Sequence, residues 1–173
     1  KLSLEMINSG AAPLGAELEI AVEKRIGALT KQGYGMTEAS PVTHFTPTDR
    51  ALVRHGSAGL VIPNTEVRVV HPEGRHDCGP NEQGELLIRG PQIMKGYLNN
   101  DEATANAIDA NGWLHTGDVG YADADGFFFI VDRLKEFIKY KAYQVAPAEL
   151  EALLLTHPAV ADAAVIPKAD TEG

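Results

Sequence analysis

Three short segments concentrate the residue types that handle phosphate and sugar groups. Residues 32–38, QGYGMTE, hold two glycines, an aromatic ring, a hydroxyl and a carboxylate within seven positions. Glycine lets a ligand approach the backbone closely. The Thr37 hydroxyl can donate to a phosphate, and Glu38 beside it can hold a hard cation that bridges phosphates. A plain turn uses the same residues. No GK[ST] follows and GxGxxG is absent, so neither a Walker loop nor a dinucleotide fingerprint applies. Residues 115–118, HTGD, place Asp118 at a glycine turn. A carboxylate there can accept from both hydroxyls of a ribose, although aspartates are common in turns without any ligand. Residues 132–141, DRLKEFIKYK, gather Arg133, Lys135, Lys139 and Lys141, four of the fifteen basic residues, into nine positions. Such a cluster neutralises a polyphosphate or a developing anion. A solvated edge strand protected by charge is the other explanation.

The elements that must position these residues show in the apolar spacing. Pro13 suits a first helical position, and Leu14, Leu18, Val22, Ile26 and Leu29 form one stripe at helical period, which reads as core. Gly33 and Gly35 end a short strand and open a loop. Residues 59–130 are rich in strand signals: Val67 and Val69 alternate with Glu66, Arg68 and Val70, and a turn-rich PEGRHDCGPN leads to GELLIRG. Residues 101–108 form a short helix capped by Asp101 or Asn100, and GFFFIV (126–131) is a buried strand. IKYKAYQV alternates, with Lys139, Lys141 and Tyr143 on one face. Pro147 opens a helix carrying Leu150, Leu153 and Leu154, and VADAAVI is a final strand.

Composition narrows the class of partner. A formal net charge of −9 argues against nucleic acid or an anionic membrane as the main partner. No apolar run approaches the roughly 20 residues of a membrane span, and KLSLEMINSG lacks the features of a signal peptide. The single Cys78 allows no internal disulfide and fits a reducing, cytoplasmic setting. His71, His76, Asp77 and Cys78 lie close together, but in a Pro/Gly-rich connection without a second cluster to complete a zinc site. The start on Lys1 in the middle of a domain-like sequence predicts a fragment of a longer chain.

Together the segments resemble the adenylate-forming superfamily of acyl-CoA synthetases, aryl-CoA ligases and beetle luciferases. The resemblance rests on SGAAPLG (9–15), QGYGMTE (32–38), GELLIRGPQIMKGYL (84–98), GWLHTGD (112–118) and FIVDRLKEFIKYKAYQVAPAELEALL (129–154), in family order. The long stretch from GWLHTGD to APAELE resembles 4-coumarate–CoA ligases and luciferases more than acetate or very-long-chain enzymes. The implied fold is mixed α/β (α+β). Residues 1–131 would be the C-terminal part of the large AMP-binding domain with its β-rich subdomain. Residues 132–173 would be a hinge and the first part of the small domain.

The resemblance also implies roles. Ala11, Ala12 and Pro13 would form backbone around the adenine, Tyr34 would stack on it, and Gln32 and Gly33 would line the acyl-adenylate site. Thr37 would contact the α-phosphate, Glu38 the Mg²⁺, and Asp118 with Arg133 the ribose hydroxyls. Lys135 and Lys139 would contact the acyl-AMP, with Gln144 as their companion. Lys141 and Ala142 correspond to coenzyme A contacts; Gly35, Pro41, Val42 and Phe45 would shape the acyl pocket; Asp132 would be the hinge. The implied reaction converts an aromatic, hydroxycinnamate-type acid to its acyl-CoA through an acyl-adenylate, using ATP, Mg²⁺ and coenzyme A. A medium-chain fatty acid is the rival substrate. A luciferase-like oxidation of the adenylate and a non-catalytic nucleotide-binding remnant are the rival classes.

Two departures stand out. The family's Ser/Thr/Gly-rich phosphate loop and its adenylating lysine would lie outside residues 1–173, which predicts that this segment alone is inactive. Ala142 stands where the family has glycine, so a methyl group there would crowd the pantetheine path, or strain the backbone if φ is positive.

Overall fold

A computed structural model describes residues 4–12, 14–73, 76–140 and 143–168. The chain begins with β1 (Met6–Ser9), α1 (Ala16–Ile26) and β2 (Leu29–Gly35), a β–α–β unit in which β1 and β2 run parallel. β3 (Val42–Phe45) and β4 (Leu60–Val61) extend this sheet antiparallel, in the order β1-β2-β3-β4. A second sheet is an antiparallel meander of β5 (Glu66–Val70), β6 (Gly84–Arg89), β7 (Leu114–Ala122) and β8 (Phe128–Arg133), with α2 (Asp101–Ala107) inserted between β6 and β7. A hairpin of β9 (Ile138–Tyr140) and β10 (Tyr143–Val145) follows, then α3 (Pro147–Leu155). The fold is mixed α/β, as the sequence predicts.

The second sheet holds the apolar centre: Leu86, Ile88 and Leu114 are at most 1% exposed, with Trp113 and Phe127 beside them. The two sheets are joined by main chain. Ala58 N donates to Phe128 O at 2.8 Å and Phe128 N to Gly59 O at 2.9 Å. Gly59, at φ 97°, has no room for a side chain, because a Cβ would run into the Phe45 carbonyl group.

Several expectations are corrected. The helix starts at Ala16, three residues after Pro13, which lies outside the described residues. Its apolar stripe is core only at Leu29, in β2: on the helix Leu18 and Ile26 are 57% and 53% exposed, and the buried residue is Glu19. The reason is a polar seam to β2, described below. QGYG is the end of strand β2 and not a loop, so the turn starts only at Met36. HTGD is likewise strand, within β7, where Gly117 at φ 70° and a register shift at Val119/Gly120 bend the ladder. IKYKAYQV is two short strands of a hairpin and not a single strand. VADAAVI forms no strand with the described residues; Val165 N instead bonds Glu151 Oε1 at 2.8 Å.

Other expectations hold. α2 is capped by Asn100, whose Oδ1 accepts from Ala103 N at 3.0 Å. Pro147 does open α3, although Leu150, Leu153 and Leu154 are exposed there.

Candidate active site

β1 and β2 run parallel, with Ser9 opposite Gln32 and β2 continuing to Gly35, so the loops that follow them leave from the same end of the sheet. The crevice outside the carboxyl ends of parallel strands is where open α/β sheets bind ligands. Ala11 and Ala12 are exposed in the first loop, and Ala11 sits in a left-handed conformation at φ 73°. That conformation costs a non-glycine residue about 1–2 kcal/mol and marks a backbone held for a purpose. The second loop carries Thr37, exposed, and Glu38, half-buried, on a short 3₁₀ turn, Thr37–Ala39.

Gln32 does not present its side chain to this crevice. Its amide oxygen accepts from Leu14 N at 3.1 Å, and its Nε2 donates to Leu14 O at 2.9 Å and to Glu19 Oε2 at 3.0 Å. The amide thus mimics a strand neighbour and pins the 10–15 loop. Glu19 Oε2 also accepts from Gly56 N at 2.7 Å, and Glu23 accepts from Thr30 N at 2.7 Å. This is the polar seam that turns α1 with its carboxylates inward. A buried carboxylate is tolerated only when hydrogen-bonded in this way.

The centre of the site is a contact between the two sheets. Tyr34 OH donates to Asp118 Oδ2 at 2.6 Å, and Arg133 Nε lies 3.5 Å from Asp118 Oδ1. Asp118 and Arg133 are direct cross-strand neighbours on β7 and β8. Asp118 is 8% exposed. Burial pushes its carboxyl above the usual range, against the opposing pull of the Tyr34 hydroxyl and the Arg133 cation. Burial, and then the neighbouring Asp118 charge, push the Tyr34 phenol up, so it remains a permanent donor. This bent stretch of β7 is fixed by two further bonds: Asp118 N donates to Thr116 Oγ1 at 3.0 Å and Gly117 N to Glu85 Oε1 at 3.1 Å.

Behind Tyr34 lies His44, its strand partner, fully buried with Nδ1 2.9 Å from Thr43 Oγ1 and Nε2 without a partner among the described residues. Its ring centroid is 5.6 Å from Tyr34 and 4.5 Å from Phe128.

Gly33 faces Phe45, whose ring lies where a Cβ on Gly33 would come to 2.8 Å. Gly35 is closed off more tightly, since a Cβ there would strike the Pro41 carbonyl. Pro41, Val42 and Phe45 are exposed around these glycines and form an apolar wall. The ammonium of Lys31, buried beneath, lies 4.3 Å from the Phe45 ring centroid and donates to Thr46 O at 3.1 Å.

The basic segment is divided. Lys135 is exposed at a cleft of about 620 Å³ lined also by Asp132, Phe137, Pro147, Glu151 and Pro167. Gln144 stands opposite Lys139 in the hairpin register. Lys141 and Ala142 lie outside the described residues. Asp132 is buried and ties β8 to α3: Oδ1 accepts from Arg133 N at 2.7 Å and Oδ2 from Ala148 N at 3.1 Å, in the first turn of α3.

Glu38 has a partner that sequence reading missed. Tyr97 OH donates to Glu38 Oε1 at 2.8 Å, and Met94 N to Glu38 O at 2.8 Å. Among the described residues no group of three or more His, Cys, Asp or Glu is placed to hold a metal ion. A single half-exposed carboxylate with a hydroxyl beside it does fit Mg²⁺ held jointly with nucleotide phosphates, the usual habit of that ion.

The parallel β1–β2 pair, the Tyr34–Asp118–Arg133 contact between the sheets and the Thr37–Glu38 turn after β2 make up the candidate site. Residues 1–98 match the family model described as AMP-binding enzyme, and the chain belongs to that family. Within it, the chain is 56% identical over 172 residues to 4-coumarate-CoA ligase 2 of Narcissus pseudonarcissus, covering 97% of this chain and 30% of the relative. It is 55% identical to 4-coumarate–CoA ligase 1 of Glycine max, covering 97% of this chain and 59% of the relative. The chain therefore spans well under two thirds of the length of these relatives. Among solved structures, O-succinylbenzoate coenzyme A synthetase (MenE) from Bacillus subtilis, in complex with ATP and a magnesium ion, matches at a TM-score of 0.84. That match has 34% identity and covers 96% of this chain and 34% of MenE. No helix among the described residues is long and apolar enough to cross a membrane.

Proposed function

We propose that this chain is part of an acid–thiol ligase that joins an aromatic, hydroxycinnamate-type acid to coenzyme A through an acyl-adenylate. The observation that carries the reading is the Tyr34–Asp118–Arg133 cluster set beside the Thr37–Glu38 turn. In the first step the substrate carboxylate attacks the α-phosphorus of ATP and pyrophosphate leaves. In the second the thiol sulfur of coenzyme A attacks the acyl carbonyl, AMP leaves with the bonding pair, and the thiol proton passes to solvent.

The roles proposed for the residues are compatible with this geometry. Asp118 accepts from the ribose hydroxyls while Arg133 and Tyr34 hold its carboxylate in place. The main chain of Ala11, Ala12 and Gly33 borders the adenine, and Gln32 serves it indirectly by pinning Leu14. Thr37 contacts the α-phosphate. Glu38 holds Mg²⁺, which supplies charge neutralisation on the phosphates when bound. Gly35, Pro41, Val42 and Phe45 enclose the acyl group, and the absence of a Cβ at Gly35 lets the Pro41–Val42 main chain pack directly against β2. Residues 1–131 belong to the large domain, and Asp132 is the hinge to a small domain beginning there. Lys135 and Lys139, with Gln144 opposite, neutralise the adenylate, a charge arrangement in keeping with cationic stabilisation of transferring phosphoryl groups.

The test is pyrophosphate release by the full-length protein with ATP and Mg²⁺ against a panel of cinnamates and medium-chain fatty acids. The reading expects release with hydroxycinnamates and, on adding coenzyme A, the matching thioester. Turnover with fatty acids alone overturns the substrate class, and no acid-dependent release with any acid overturns the ligase reading.

A further inference from the structure

Glu38 is held from two sides by a segment to which no role is assigned above. Residues 94–97 run past the Thr37–Ala39 turn, and Met94 N donates to Glu38 O at 2.8 Å while Tyr97 OH donates to Glu38 Oε1 at 2.8 Å. Tyr97 is itself anchored. Its N–H donates to Thr104 Oγ1 at 2.8 Å, and that hydroxyl donates to Asn100 O at 2.9 Å, the residue that caps α2. Gly96 makes the approach possible, because a Cβ there would come within 2.7 Å of Thr104 Cγ2. A continuous series of hydrogen bonds therefore runs from the first turn of α2 to one oxygen of one carboxylate. The other oxygen, Oε2, has no partner among the described residues.

We propose that Tyr97 is a positioning residue for a divalent cation: its hydroxyl fixes the Glu38 carboxylate by Oε1 and reserves Oε2 for a cation shared with the nucleotide phosphates. This rests on the reading of Glu38 as the cation-holding carboxylate. A carboxylate on a flexible side chain loses rotamer freedom when it binds a metal, and a partner that orders it beforehand removes that cost. Tyr97 is 40% exposed, so replacing it by phenylalanine deletes the hydroxyl without opening a core.

The experiment is calorimetric titration of the full-length protein with ATP, once with excess Mg²⁺ and once with chelator, for wild type, Tyr97→Phe and Thr104→Val. The expected result is that Tyr97→Phe weakens binding of Mg·ATP roughly tenfold, the usual effect of removing a partner that orients a ligating carboxylate, while binding of metal-free ATP is unchanged. Thr104→Val moves Mg·ATP binding in the same direction by less. Equal weakening in both titrations makes Tyr97 merely structural and overturns the proposal, as does tighter binding of Mg·ATP, which would make the hydroxyl a competitor of the cation. If wild type binds ATP equally with and without Mg²⁺, the assignment of Glu38 fails and this proposal with it. If wild type prefers Mg·ATP and Tyr97→Phe keeps the full preference, only Tyr97 is overturned.

Discussion

Tyr34 and Asp118 are 84 residues apart in the chain, yet the phenol of one donates to the carboxylate of the other at 2.6 Å. This bond joins the two sheets at the proposed ribose site, and it makes a graded prediction. Asp118→Ala in the full-length protein should weaken AMP binding by about one to two decades, as expected for a charged acceptor worth roughly 1.5–3 kcal/mol. Tyr34→Phe should cost less, about 1 kcal/mol, because the carboxylate stays and only its orientation relaxes. Calorimetry with AMP checks both. Equal effects of the two variants would mean that the bond between them matters more than the acceptor.

Asp132 makes a structural prediction at the junction. Its Oδ2 accepts from Ala148 N in the first turn of α3, a capping contact made from a distant strand. Loss of a capping carboxylate costs about 0.5–2 kcal/mol. Asp132→Ala should therefore speed amide exchange across residues 147–155 several-fold while leaving Leu86, Ile88 and Leu114 as protected as before. Unchanged exchange in α3 would show that the contact contributes nothing to holding the helix.

Gly35 separates pocket shape from backbone need. A Cβ there would meet the Pro41 carbonyl, while Met36 N donates to the same oxygen at 2.7 Å. Gly35→Ala must displace that loop, so it should destabilise the protein by about 1–3 kcal/mol, the range for overpacking. Urea denaturation measures it. A variant of native stability that has lost only bulky acids as substrates would make Gly35 a pure size filter.

His44 sets a pH dependence. Burial pushes its imidazole down to about 3, whereas an ordinary histidine in the unfolded chain titrates near 6.5. Between these values the unfolded chain binds a proton that the folded chain refuses, so stability is lost as pH falls through this window. His44→Leu should flatten the dependence of stability on pH there by about 1.4 kcal/mol per unit, the value of one proton. Urea midpoints at pH 4, 5 and 6, roughly spanning the window, give the slope. An identical slope in both proteins would place the acid sensitivity elsewhere.

Local patterns were readable wherever one side chain and its near neighbours decide the outcome. The alternation of residues 66–70 and the Asn100 cap of α2 are of this kind. α1 was not, because its inward residue is a carboxylate whose partners, Gln32 and Gly56, lie 13 and 37 positions away. HTGD reads as a turn because Gly117 interrupts the strand period, while the ladder on either side continues through it. In the site, Tyr34, Asp118, Arg133 and Glu38 were recognisable as chemical types in motifs. Tyr97 was not singled out: nothing in MKGYL announces a bond to a residue 59 positions earlier.

Asp132 and Arg133 are adjacent on β8, and successive side chains leave a strand on opposite faces. One therefore reaches α3 while the other reaches Asp118, and a single planar peptide separates them. Such a pair behaves like the two ends of a rocker on one axle. A twist of the backbone that released Ala148 would also move the guanidinium relative to the Asp118 carboxylate, so the contact with α3 and the ion pair with β7 are mechanically linked.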